Sequence, residues 1–299
     1  MPATLGELAA LATALCWTVS STFFTFGARQ VGSVAVNRLR LLIAAILLVL
    51  LHTLTLGSAL PLNAEPERWL WLGLSGIIGL TLGDAFLFQA YLWIGPRLTM
   101  LMMSVVPVIS TLLAWATLGE RLTPLQWGGV GLTVGGIAWV VLERRNDETA
   151  SPHDFRRGLL FGLGAAVGQA VGLVLAKRGL GGDFPALSGN VIRMITAAAA
   201  MWAFTIARGQ VGATLRRVRA APRSIAPILT GSVFGPVIGV WLSLISIQWT
   251  QIGVASTLMA LPPVFLLPIA RLVFKETIGW QAIAGTLVAM AGVALLLLT

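Results

Sequence analysis

The sequence predicts an all-α integral membrane protein: ten transmembrane helices arranged as two inverted five-helix repeats. Three observations carry that expectation. Hydrophobic residues make up 57 % of the chain and charged residues only 10 %, against about 25 % charged in a soluble domain. So much apolar surface cannot be hidden in one core, which makes lipid the solvent. The apolar residues fall into runs of about 20, the length that crosses a bilayer as a helix. These runs then recur, five and five, around one polar stretch.

In order, the spans lie near 5–27, 34–56, 69–91, 97–118 and 124–142, then 157–177, 186–207, 225–248, 252–274 and 279–298. The stretch "ERRNDETASPHDFRR" at 143–157 separates a first repeat, 1–142, from a second, 158–299. The runs are too long for barrel strands and do not alternate strictly. Almost every Asp and Glu falls in a gap between runs, as expected where hydrocarbon excludes charge.

The repeat is read from ordered pairs. At an offset of 156, Gly79 meets Gly235, Gly83 meets Gly239, Pro107 meets Pro263, Glu120 meets Glu276, Gly129 meets Gly285 and Gly136 meets Gly292. At 153, Asn37-x-x-Arg40 meets Asn190-x-x-Arg193; at about 152, Gly6 and Ala14 meet Gly158 and Ala166. Such drift is what loop insertions produce. Five spans per half is an odd number, so the second half enters the membrane upside down. Inverted repeats with a site near the midplane build many secondary transporters.

Lys and Arg set the orientation. Four lie in loops on one side and fifteen on the other, with Arg193 inside a span. The positive-inside rule makes the richer side cytoplasmic and places both termini outside, in a cytoplasmic-type membrane. The net charge of +9 does not imply nucleic acid, because its basic residues form no domain and interleave with no aromatic patch. No Lys or Arg precedes Arg29, so no cleaved leader is expected. The lone Cys16 excludes an internal disulfide and a Cys-rich metal site, and no cofactor or metal is expected.

Around "PVISTLLAWATLGERLTPLQWGGVGLTVGGIAWV" the chain resembles the repeat of the EamA branch of the drug/metabolite transporter superfamily. In that repeat the fourth helix opens in Pro-Val, closes in Gly-Glu-Arg-Leu-Thr and is followed by a Gly-rich fifth. The second copy, "PVFLLPIARLVFKETIGWQAIAGTLVAMAGV", is similar, with Lys275 where Gly119 stands. "ALCW" with Trp17, and Arg40 opening helix two, also resemble the family; in the second half Gln169 replaces the Trp. The resemblance implies a ten-helix carrier of small metabolites, amino acids or drug-like compounds. It also implies that helices five and ten pack away from a cavity lined by the others.

The residues have their own physical reading. Pro107 and Pro263 lack an amide hydrogen, so each leaves a carbonyl free and bends its helix, as a pivot or as a fixed kink. Glu120 and Glu276 mark tight helix-to-helix corners, where a carboxylate meets the next helix start favourably. The glycines of helices five and ten let backbones approach closely.

Asp84 is the only acid well inside an apolar run, where it costs about 3 kcal/mol even on the lenient insertion scale. About 22 Å into span three, it can reach Arg40. A substrate group or a proton can compete for that pair, which makes proton coupling an open alternative to a purely structural ion pair. Phe88 and Tyr91 share the face of Asp84. Trp17 with Ser20, and Trp241 with Gln248, share faces of helices one and eight. Gln169, Asn190 and Arg193 add polar groups. An aromatic cavity with few polar anchors suits a small amphipathic solute.

The function expected is secondary transport of a small metabolite by alternating access, in the export direction. A channel or facilitator is the alternative; an intramembrane enzyme fits less well, since one deep acid and two His assemble no catalytic set. There is no P-loop for direct ATP drive. One chain of ten spans can serve as a complete unit.

Overall fold

The computed structural model describes residues 2–118, 123–145, 152–249, 252–275 and 278–295 of the chain. Among the described residues every regular element is helical. Lipid-type solvent explains this, because a helix satisfies its backbone polar groups internally.

The first span is α1 (Pro2–Val31), and Gly32 turns the chain directly into α2 (Ser33–Leu56). That corner is possible because Gly32 adopts φ +87, ψ 153, a backbone conformation closed to most side chains. The third span joins α3 (Pro66–Ser75), a π-helical stretch (Gly76–Gly83) and the start of α4 (Asp84–Met103). Gly95 (φ 75, ψ 164) breaks α4, and Pro96 then opens the fourth span. That span is interrupted again before α5 (Val106–Leu118), and α6 (Pro124–Arg145) is the fifth.

The second half runs through α7 (Pro152–Gly179) and α8 (Ala186–Ala207), the sixth and seventh spans. Between the seventh and eighth spans lies a short helix outside the ten expected runs, α9 (Val211–Ala220). The eighth span joins α10 (Ile225–Ser232), a second π-helical stretch (Val233–Gly239) and α11 (Val240–Trp249). The ninth is α12 (Ile252–Met259) broken before α13 (Pro262–Leu272), and the tenth is α14 (Trp280–Leu295). Ten rods therefore stand close to the expected boundaries. Six of them, counting Pro66–Met103 and Pro222–Trp249 as single helices, are individually long and apolar enough to cross a membrane. Their outward leucines and isoleucines, such as Ile46 at 60 % and Leu54 at 75 % exposure, form the lipid face.

Irregularities repeat with the sequence. The two π-helical stretches occupy matching positions in spans three and eight, and the breaks at Ser104–Val105 and Ala260–Leu261 match in spans four and nine. Both breaks directly precede the Pro-Val motif. A π turn shifts the backbone ladder by one residue and marks functional sites in many helices.

The halves interlock across a pseudo-two-fold. Span one packs on eight and nine, and its counterpart span six packs on three and four; two packs on seven, and five on ten. At the five–ten contact the exchange is visible in single atoms. A Cβ on Gly136 would stand 2.5 Å from Ala289 N, and one on Gly292 would stand 2.4 Å from Thr133 N. The roles are swapped and the residues correspond at 156. This is small-residue packing of helices in lipid.

α9 is amphipathic: Arg216, Arg217 and Arg219 are exposed while Thr214 is buried. Arg38 of α2 holds it, donating from Nη1 to Thr214 Oγ1 (2.6 Å) and from Nη2 to Gln210 Oε1 (2.5 Å). The helix thus ties the arginine-rich 208–223 segment to the first half.

Candidate functional site: a buried charge cluster between the halves

Span two supplies Arg40 and span three Asp84, and the fold brings them together. Arg40 Nη2 donates to Asp84 Oδ2 at 2.5 Å, and Arg40 and Asp84 are 2 % and 4 % exposed. Burial this deep demands further hydrogen bonds, and the π-helical stretch provides them. Its shifted ladder turns carbonyls sideways: Leu80 O accepts from Arg40 Nη2 (2.8 Å) and Thr81 O from Asn37 Nδ2 (3.1 Å). Asn37 Oδ1 in turn accepts from Arg40 Nε at 2.9 Å. The guanidinium also lies 4.9 Å from the centre of the Phe88 ring and 5.9 Å from that of Phe24, distances at which a ring's negative face attracts a cation.

The same construction begins in the second half and stops short. Asn190 Nδ2 donates to Pro236 O (3.0 Å) and Val237 O (3.5 Å) in the second π-helical stretch. Val237 is the counterpart of Thr81. Arg193 is 2 % exposed, and its Nε finds no hydrogen-bond partner, nor does Asn190 Oδ1. Where Asp84 stands in the first half, the second half has Val240.

These residues surround a cavity of about 90 Å³ between the halves. Of the residues singled out from sequence, Trp17, Ser20, Arg40, Asp84, Phe88, Tyr91, Gln169 and Pro107 line it. Trp241 is partly buried against neighbouring core residues. Asn190 and Arg193 stand behind the wall on span seven. Gln248 is placed elsewhere: its Nε2 donates to Phe184 O (2.9 Å) and ties span eight to the loop after span six. Pro263 is buried beside the lining residue Pro262. Glu120 and Glu276 lie outside the described residues.

Sequence reasoning missed several wall residues. Phe24, Met100, Met103, Ser256 and Met259 line the cavity, and they come from spans one, four and nine. Phe24 had a signal: it lies seven residues after Trp17, on the same face of α1. Ser256 and Met259 reach the wall only because the ninth span breaks immediately after them. The wall is apolar and aromatic with charge at one place. Tyr91 donates to Met100 Sδ (3.3 Å), while Phe24 meets Phe88 edge-on and Phe88 lies tilted against Tyr91.

The two sides of the cavity differ. Span six meets span three through glycines, with a Cβ on Gly168 only 2.8 Å from Gly83 Cα. At the matching place span one meets span eight through Trp17 and Ser20, 3.0 and 3.1 Å from Cβ positions on Gly239 and Gly235. Duplication set the frame and divergence made the pocket asymmetric. No cluster of His, Cys, Asp and Glu fit for a metal occurs among the described residues. Chemically, the arrangement offers an ion pair that a polar solute can meet from the cavity.

Comparison with known proteins agrees with this architecture. A solved crystal structure is similar over 97 % of this chain and 95 % of its own, with a TM-score of 0.67 and 18 % sequence identity, which speaks for the fold alone. No curated protein matches the sequence. The model of the EamA-like transporter family matches residues 4–142 and again 156–298, and the chain belongs to that family of membrane transporters.

Proposed function

We propose that this protein is a secondary carrier that moves a small metabolite across the cytoplasmic membrane by alternating access of its two halves, in the direction of export. The observation that carries the reading is the Arg40–Asp84 pair on the wall of a cavity between pseudo-symmetric halves. A charge pair at this depth is expensive, and a solute that engages it converts that expense into selectivity. The matching breaks beside Pro107 and Pro263 supply two places where a span's ladder is already interrupted and can bend. The family resemblance implies export or exchange, and export is the direction proposed. The arginine-rich 208–223 segment and the 143–157 linker face the cytoplasm.

A solute that stabilises the purified protein in a thermal-shift screen of metabolites is then expected to enter proteoliposomes with saturation and counterflow. Flux that rises linearly without counterflow contradicts a carrier and indicates a channel. A cysteine placed in the 143–157 linker, in a background lacking Cys16, stays shielded from impermeant reagents in intact cells; labelling there reverses the orientation.

A further inference from the structure

The charges of Arg40, Asp84 and Arg193, grouped around the π-helical stretch of span three, do not cancel. Arg40 and Asp84 form a hydrogen-bonded pair, while Arg193, equally buried, lies in the field of that same carboxylate without bonding to it. Among the described residues the ion pairs are Arg40–Asp84, Arg68–Glu65 and His153–Asp154, and none involves Arg193. The cluster therefore carries one net positive charge at neutral pH. An excess cation in a low-dielectric interior is among the costlier things a fold can hold.

The location of that charge is specific. A Cβ built on Gly79 would stand 3.7 Å from Arg193 Nη2 and 3.3 Å from Gln169 Oε1. Arg193 thus stands against the π-helical stretch of span three at the same glycine as Gln169, which lines the cavity. Gln169 is the polar group of the cavity wall nearest that glycine, and its amide can donate to an anion. The repeat explains the origin: the first half provides its arginine with Asp84, the second keeps the arginine and has Val240 instead.

Resting on the carrier reading, we infer that the solute is an organic carboxylate, whose negative charge offsets the one positive charge that Asp84, shared by Arg40 and Arg193, leaves over. Its carboxylate faces Gln169 and the Arg193 side of the pocket. Its apolar body lies against Trp17, Phe24 and Phe88. A single net positive charge matches a singly charged carboxylate rather than a cation or a dianion.

Thermal unfolding of the purified full chain with three matched probes tests this: benzoate, benzamide and benzylamine, repeated with butyrate, butyramide and butylamine. At about a hundred times Kd a carboxylate is expected to raise Tm by at least ~5 °C, with the amides and amines near zero. Arg193→Gln should weaken carboxylate binding roughly 10- to 100-fold, and Arg193→Lys should retain most of it. Because Arg193→Gln alters a deeply buried side chain and so also tests folding, Gln169→Glu provides the second arm. It places a carboxylate beside Arg193, so the unliganded Tm should not fall below wild type and the response to carboxylates should vanish. The inference is overturned if carboxylates act no better than their amides, if amines act as well, or if Gln169→Glu keeps the response. Carboxylate binding without counterflow would uphold this inference and reject the carrier reading, so the two fail separately.

Discussion

Asp84→Ala is expected to cost about 3–5 kcal/mol of stability, the size found when one member of a buried pair is removed. The reason lies in what remains. Arg40 keeps its position through Asn37 Oδ1 and Leu80 O, but its charge is then uncancelled, with Arg193 nearby adding a second. Two buried cations would then stand without an anion, one on the cavity wall and one behind it. Asp84→Asn keeps the shape and an acceptor for Arg40, so it should fold better than the alanine variant. It should still lower transport on the order of 100-fold, because the charge opposite Arg40 is gone. The double substitution Asp84→Ala with Arg40→Met should recover most of the stability and none of the transport. Thermal unfolding in detergent and uptake by proteoliposomes measure the two effects. A stable, active Asp84→Ala protein would remove the pair from the account.

Gly76→Val has the next largest expected effect. A Cβ at this position would lie 2.2 Å from the carbonyl oxygen of Arg193 and 2.9 Å from both its carbonyl carbon and Thr196 Oγ1. Two of these three atoms are backbone, so no rotamer change relieves the overlap. Spans three and seven must move apart, and overpacking of this kind costs typically about 1–3 kcal/mol, occasionally more. The displaced backbone is that of Arg193, so its charge moves with it. Gly131 provides the control, since a Cβ there meets nothing within 4 Å and Gly131→Ala should stay within about 0.5 kcal/mol of wild type. The comparison is made by monodisperse recovery and Tm after purification. Equal stability of the Gly76→Val and Gly131→Ala proteins would mean the helices are not in backbone contact there.

The spans were legible because one physical requirement, burying backbone polar groups in lipid, forces long apolar runs. The duplication was legible because the motifs it preserved, Pro-Val and the glycines, serve packing and bending that both halves need. The pairing of Asp84 with Arg40 could be anticipated, since an acid at that depth requires a cation and few were in reach. α9 was hidden by its arginines, although Val211, Leu215 and Val218 recur at helical spacing. The π-helical stretches were not legible at all: Gly76–Gly83 and Val233–Gly239 are glycine-rich apolar segments like many others. Their consequence, carbonyls turned toward Arg40, Asn37 and Asn190, exists only in three dimensions. Gln248 shares a helix face with Trp241, yet lies two turns nearer the span end, where it holds a loop. Face alone does not give depth.

The central claim is that the two halves exchange access to one shared pocket. Pulsed electron–electron distance measurements on two spin-labelled pairs test it most directly, in protein lacking Cys16. One pair, Gln30 and Leu272, spans the ends of spans one and nine, where Phe26 and Phe274 now stack 5.4 Å apart. The other, Asp183 and Leu125, reports on the opposite end of the bundle. The account predicts two-state distances in which one end shortens when the other lengthens, with populations shifted by a transported solute. Both ends long in the same state, or neither distance responding to solute, would contradict it.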